Sequence, residues 1–280
     1  MPLFTIDPKR CKADGLCVRA CPASLVRQAG PGDLPAPLPG REAHCIRCGH
    51  CVAACPTGAF THALLPPQTF MPIRRATLPA FDAVTHLLQS RRSCRTYKSG
   101  KSGKPAPLPR DELARLFNIV RYAPTGHNTR EVRFVVVDGP QRMAEVRDGV
   151  VDWMRAEVAA QTPLAATLNL AGAIRAVEKG KDVVFRGAPH VAVAYAPRHG
   201  VTPELDAAIA AAWLEIAAHA QGLGACWCGY LIFALAAHPP LATLLGIPED
   251  HQGYAAMLLG RMAQRPVSIP PREELAVRFI

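Results

Sequence analysis

At 280 residues, 49% of them apolar and 19% charged, the chain has room for two domains and a sizeable buried core. Seven of its ten cysteines fall within the first 55 residues, which excludes an evenly spaced secreted disulfide framework and points to thiolates kept in a reducing cytoplasm. The formal net charge of +10 does not make a nucleic-acid binder, because the basic residues are scattered, without a run of five and without interleaved aromatics.

The chain opens on Met1-Pro2-Leu3-Phe4-Thr5-Ile6-Asp7, which has no basic-then-apolar pattern, so no secretory leader is expected. Cys11, Cys17 and Cys21-Pro22 follow, with Asp14 where a complete run would carry a second cysteine. A loop rich in glycine and proline, residues 29–40, leads to Cys45, Cys48, Cys51 and Cys55-Pro56. The spacing C-x2-C-x2-C-x3-C-P is that of bacterial ferredoxins. Three of its cysteines wrap one [4Fe–4S] cube and the fourth, before proline, ligates a second. Two tandem runs therefore predict crossed ligand sets: Cys45, Cys48, Cys51 and Cys21 for one cluster, and Cys11, Asp14, Cys17 and Cys55 for the other. A structural zinc site shares the C-x2-C spacing but does not call for two C-P-terminated runs. Asp14 either binds the fourth iron as a harder ligand or faces solvent and leaves a [3Fe–4S] site. His50, between cluster ligands, is expected to tune potential by hydrogen bonding. Residues 1–65 are thus expected to form a ferredoxin-like iron–sulfur domain, and 66–80, punctuated by Pro66, Pro67, Pro72 and Pro79, a semi-rigid linker.

From residue 81 the pattern changes to helical periodicities alternating with short apolar runs. Phe81, Val84, Leu87 and Leu88 share one helix face, and Pro109-Arg110-Asp111-Glu112 opens a helix with Leu113, Leu116, Phe117 and Val120 at its apolar spacing. Val132 to Val137 reads as a strand stopped by Asp138-Gly139-Pro140, and 141–180 as helical, weakest at Thr162-Pro163. His190 to Tyr195 is a second strand. Thr202-Pro203-Glu204, with a hydroxyl cap, starts an alanine-rich helix that ends before Gly222-Leu223-Gly224. Leu223 to Ala237, the longest uncharged apolar run, falls short of the roughly 18 residues a membrane span needs and reads as core. Tyr254 to Leu259 is a third strand. Helices outnumber strands, and residues 81–280 are expected to form an α+β domain.

Two nucleotide signatures are absent from this region. Gly100-Lys101-Ser102 lacks the P-loop glycine, since Arg95 stands there, and Gly222-Leu223-Gly224 lacks a third glycine and follows a helix. What remains is Arg91-Arg92-Ser93-Cys94-Arg95, whose guanidiniums suit bidentate binding of phosphate oxygens, although a solvated basic helix end would look the same. Three further stretches follow it: Ala123-Pro124-Thr125-Gly126-His127-Asn128, then Cys226-Trp227-Cys228-Gly229, then Gly260-Arg261 with Arg272 beyond.

In this order the four stretches resemble the FMN-dependent nitroreductase family over residues 81–280, and residues 1–80 resemble the two-cluster ferredoxin domain fused in front of some members. The resemblance implies that Arg91, Arg92, Ser93 and Arg95 hold the flavin phosphate and ribityl chain. It implies that Pro124, Thr125, Gly126 and Asn128 line the flavin from the other subunit of a homodimer, with Cys228 and Gly229 against the ring. Arg272 would reach the phosphate, and Arg261 is a second candidate for this. Arg130 stands where the family commonly has glutamine, and no flavin ligand is placed within 145–185. His127 is a candidate donor to flavin or substrate, or else a satisfied loop histidine. Cys94 lies among cations that could lower its pKa, yet Cys94, Cys226 and Cys228 read better as small buried residues.

The fusion implies an iron–sulfur flavoprotein oxidoreductase. Electrons from an external ferredoxin-like or other low-potential donor would pass through two clusters to FMN and on to an electron-poor organic acceptor, a nitro compound or a quinone-like molecule. A reductive dehalogenase-like or flavin-modifying enzyme on the same fold is an alternative, as is a non-catalytic redox sensor. Neither nucleic acid nor membrane is an expected partner, and the expected location is the cytoplasm.

Overall fold

The computed structural model describes residues 2–100, 103 and 105–280, so Lys101 and Ser102 of the P-loop-like triplet lie outside the described residues. The chain divides into two compact units. One runs to Leu78 and includes His127–Thr129; the other comprises Pro79–Gly126 and Arg130–Ile280.

The first unit is built from β1 (Phe4–Ile6), α1 (Leu16–Ala20), β2 (Val26–Arg27), β3 (Ala36–Pro37), α2 (His50–Ala53) and β4 (Phe60–His62). Strands β1 and β4 pair antiparallel with Phe4 opposite His62, and β2 pairs with β3. The two cysteine runs repeat each other in backbone as well as in sequence. Ala13 and Gly15 flank Asp14 with positive φ, as Arg47 and Gly49 flank Cys48, and each glycine starts a short helix that buries Cys17 or Cys51. Ser24 and Gly58, three residues after Cys21 and Cys55, are left-handed too. Left-handed residues alternating with ordinary ones turn backbone N–H groups toward a common anion, as in nests that hold iron–sulfur sites. A small apolar core of Phe4, Leu25, Val26, Val52 and Phe60 packs with the buried thiols, and Phe70, inside the stretch expected to be linker, packs against it.

The second unit contains α3 (Phe81–Ser90), α4 (Arg110–Val120), β5 (Arg133–Asp138), α5 (Pro140–Ala159), α6 (Pro163–Thr167), α7 (Leu170–Glu178), β6 (His190–Pro197), α8 (Pro203–Ala220), β7 (Gly224–Trp227), α9 (Gly229–Ala237), α10 (Pro239–Leu244) and β8 (His251–Gly260). The sheet order is β5-β6-β8-β7 and every pairing is antiparallel, which makes the unit α+β. The sheet's two faces carry separate cores. Val191 and Val193 of β6 join Ala256 and Leu258 of β8 under α5 and α9, whereas Ala192 and Ala194 join Ala255, Met257 and Leu259 under α4 and α8. The period of two along each strand makes this division.

Three expectations are revised. The helical stretch 141–180 is three helices, because Thr162 stops α5 and caps α6, its Oγ1 accepting from Ala165 N at 3.1 Å. Thr202 precedes α8 but does not cap it; its hydroxyl donates to Asp206 Oδ1 at 2.9 Å instead. The Gly224–Trp227 motif is itself a strand, and α9 follows at once. An uninterrupted apolar run gives no periodicity by which to tell strand from helix.

Candidate iron–sulfur and flavin sites

In the first unit, two cavities lie against the cysteine runs. One is lined by Cys11, Asp14, Cys17 and Cys55, with Lys12, Thr57 and Phe60; the other by Cys21, Cys45, Cys48 and Cys51, with Phe4, Leu25 and His62. The structure thus brings together both crossed donor sets. Among the described residues no three His, Cys, Asp or Glu side chains converge on one ion, as a mononuclear zinc site would need. Backbone amides approach the sulfurs: Ala13 N donates to Cys11 Sγ at 3.4 Å and Leu25 N to Cys21 Sγ at 3.3 Å. Asp14 is exposed, and its Oδ1 accepts from Leu16 N at 3.0 Å, an Asx-type turn at the start of α1.

The thiols are not equivalent. Burial pushes Cys51 up to about 11, against the Val52 amide, with charge on Cys21 and Cys48 adding to the rise. Cys17 is also pushed up, chiefly by burial. At Cys55 burial acts upward but is outweighed by the Phe60, Thr57 and Ala59 amides and the Thr57 hydroxyl, so its pKa falls. His50, expected to tune potential, is exposed and makes no side-chain hydrogen bond among the described residues. The histidine that reaches one of these cysteine sulfurs is His62, buried on β4, with Nε2 3.5 Å from Cys45 Sγ. Its strand position, outside any cysteine run, hid it from motif reading.

The arginine stretch of the second unit is carried alongside β7. Ser93 bridges Ala225 in parallel, and Cys94 N donates to Ala225 O at 2.8 Å. This approach needs Gly224, where a Cβ would sit 2.5 Å from Cys94 Sγ. Arg91 Nη1 pairs with Glu215 Oε1 at 2.8 Å, and Trp227 Nε1 donates to the other oxygen at 3.3 Å. Arg92 donates Nη1 to Arg91 O at 2.6 Å, while its Nε is buried without a partner among the described residues. Arg261 pairs with Glu112 at 2.7 Å, and Arg272 lies exposed on the tail after β8. Cys228 is buried, with its backbone N donating to Ala256 O at 2.9 Å, and Gly229, the first residue of α9, faces open space where a Cβ would go.

The three remaining thiols are insulated. Burial is the largest influence on Cys94 and Cys226 and raises both, and it pushes Cys228 up to about 12. Cys94 is buried, in keeping with its reading as a small core residue. The positive charges of Arg95, Arg186 and Arg91 act on Cys226 in the opposite direction, and the Glu215 charge acts with burial. Arg186 was not singled out by the sequence. It projects from a turn where Asp182 accepts from Phe185 N (2.8 Å) and Gly187 N (3.0 Å), with φ of 57° at Arg186 between them. Cys228 Sγ, 3.6 Å from Val184 O, ties this turn to the start of α9.

Of the Ala123–Asn128 stretch, Thr125 Oγ1 accepts from Arg130 N (3.1 Å), and Gly126 N donates to Asp206 Oδ1 (2.9 Å). Thr125 and Arg130 line a cavity of about 590 Å³ floored by Phe117, Val120, Phe134 and Ala210. Asn128 belongs to the first unit, where its amide donates to Ile46 O at 2.8 Å and Arg47 O at 3.1 Å. His127 has φ of 50°, and Pro124 precedes this turn.

A family model described as the nitroreductase family matches residues 88–261, and one described as a 4Fe-4S dicluster domain matches residues 9–60. Among solved structures, a nitroreductase with bound FMN from Desulfitobacterium hafniense DCB-2 is 23% identical, with a TM-score of 0.55, covering 71% of this chain and 100% of its own. One from Bacteroides fragilis NCTC 9343, also with FMN, is 21% identical, with a TM-score of 0.55, covering 70% and 97%. An oxidized iodotyrosine deiodinase bound to FMN and 3-iodo-L-tyrosine is 19% identical, with a TM-score of 0.52, covering 70% and 98%. At these identities the likeness is one of fold. With more than half of its length matched by the family model, the chain belongs to the nitroreductase family, a family of FMN-dependent oxidoreductases, and carries a 4Fe-4S dicluster domain ahead of it.

Proposed function

We propose that this chain is an iron–sulfur flavoprotein that takes single electrons from an external low-potential donor at its N-terminal unit and delivers them to an electron-poor organic acceptor at an FMN site. The single observation that carries the reading is the pairing of two cavities, each lined by one crossed donor set, with a nitroreductase-family unit in one chain. Cys21, Cys45, Cys48 and Cys51 would hold a [4Fe–4S] cluster. Cys11, Cys17 and Cys55 would hold the second, with Asp14 as a fourth ligand or with the site left [3Fe–4S]. FMN, when bound, converts single electrons into a hydride equivalent.

The second unit's residues suit that cofactor. The buried, unpartnered Arg92 Nε is a donor that an anionic group would satisfy. Ser93 and Arg95 stand beside it, and the open space at Gly229 admits a flat ring against the start of α9. Arg91 is already paired with Glu215, so its part is to fix the arginine stretch on α8 as much as to bind phosphate. Arg186 adds a cation that can stabilise negative charge developing on the ring or the acceptor. Assembly as a homodimer, with Pro124, Thr125 and Gly126 serving the partner's flavin, belongs to the same proposal. So does the location in the cytoplasm.

A second reading, reductive dehalogenation, has the fold likeness to iodotyrosine deiodinase in its favour. Anaerobic purification followed by heat release of the cofactor tests the main reading. FMN in one-to-one ratio with the chain, and turnover of nitroaromatics with reduced ferredoxin, are expected. Finding FAD or no flavin sinks it, and turnover confined to haloaromatics transfers it to the second reading.

A further inference from the structure

We infer that His62 raises the reduction potential of the cluster held by Cys21, Cys45, Cys48 and Cys51, by donating its Nε2–H to the sulfur of Cys45. The inference rests on the cluster reading above. Geometry assigns the tautomer. Leu64 N donates to His62 Nδ1 at 3.0 Å, so Nδ1 carries the lone pair and the neutral ring bears its proton on Nε2. Nε2 lies 3.5 Å from Cys45 Sγ, and His62 lines the same cavity as the four cysteines.

The ring is held in place. It is 2% exposed, Phe4 meets it edge-on at 5.2 Å and 84°, and Phe4 and His62 are partners across β1 and β4. A buried imidazole N–H left unpaired would cost free energy, so the sulfur is its partner and not an incidental neighbour. A donor at a cluster sulfur stabilises the form with more negative charge, which is the reduced one, and burial strengthens the interaction.

The pseudo-repeat makes this a property of one cluster. Gln28 occupies the position in the first half that His62 occupies in the second, and its side-chain nitrogen donates to Ala13 O (2.9 Å) and Asp33 O (2.7 Å) instead of to Cys11. The other cavity's sulfurs meet backbone amides and the Thr57 hydroxyl, 3.6 Å from Cys55 Sγ, but no imidazole. His62 therefore adds a second difference between two sites that already differ at Asp14 and Cys48.

Potentiometric titration of the full-length holoprotein, followed by electron paramagnetic resonance, tests this. His62→Phe is expected to move the all-cysteine cluster to more negative potential and leave the other unmoved, while His62→Gln, which keeps an N–H at similar reach, stays near wild type. An unchanged potential in His62→Phe, or equal shifts of both clusters, overturns the inference. If His62→Phe fails to assemble, protein labelled with 15N-histidine decides. A pulsed-resonance coupling to the reduced cluster that is lost in His62→Gln supports the inference, and no histidine coupling in the labelled wild type overturns it. Absence of any iron–sulfur signal in wild type overturns the cluster reading as well, whereas intact signals indifferent to His62 overturn this inference alone.

Discussion

Asp14 and Cys48 hold the same backbone position in the two halves of the N-terminal unit, each between a pair of left-handed residues. The exchange of carboxylate for thiolate is thus a change of side chain on an unchanged scaffold. A carboxylate binds ferrous iron less covalently, and Asp14 already shares one oxygen with Leu16 N. Asp14→Cys is therefore expected to give two [4Fe–4S] signals that resist iron loss in air, where wild type converts one cluster to [3Fe–4S]. Two equally durable clusters in air-exposed wild type would refute this. Cys228 carries a prediction of another kind. Burial holds its thiol at about 12 when folded, against an ordinary 9.0, so its contribution to stability is whole below about pH 9 and is lost as pH rises toward 12. Cys228→Ala should flatten the alkaline fall of the denaturation midpoint, and a parallel fall in both proteins would count against it. The cysteine sets were legible because three-residue spacing places thiols on one loop. His62, Arg186 and the Glu215 that holds Arg91 were not, since each reaches its neighbour across distant sequence.

Among the elements, the junction of α5 and α6 shows how a weak signal becomes a structural break. Thr162 Oγ1 accepts from Ala165 N and donates to Glu157 Oε2 at 2.6 Å, and Glu157 also accepts from Trp153 Nε1 at 3.2 Å. One hydroxyl so ends α5, caps α6 and anchors a carboxylate that holds a buried tryptophan. Thr162→Ala should lower stability by about 1–2 kcal/mol, and Thr162→Ser by much less, measured by chemical denaturation. Equal losses in both variants would assign the effect to the methyl group's packing. The strands at β5, β6 and β8 were legible because their apolar runs are bounded by turn residues. Strand β7 and helix α9 share one uninterrupted apolar run, and only the sheet pairing of Cys226 with Leu258 separates strand from helix.

For the molecule as a whole, the proposal makes the N-terminal unit the entry point for electrons. Cys48→Ala, which removes a donor lining the all-cysteine cavity, should abolish turnover driven by reduced ferredoxin while FMN content and turnover with chemically reduced flavin persist. Undiminished ferredoxin-driven turnover would make the clusters spectators, and equally fast reduction by NAD(P)H alone would displace the donor assignment. Among the described residues no helix is long and apolar enough to cross a membrane.

The sequence by itself determined the order of the two units, the crossed cysteine sets that line the two cavities and the arginine stretch before the α+β unit. These depend on spacing along a few residues, where covalent geometry limits what the side chains can do. The tertiary structure decided which of those groups are free to act. It spent Arg91 on Glu215, Arg261 on Glu112 and Asn128 on the carbonyls of Ile46 and Arg47, and it left Arg92 Nε buried without a partner. It also set His62, not His50, beside the sulfur of Cys45, because strand pairing and burial, which no local motif encodes, fix where an imidazole must find its hydrogen bond.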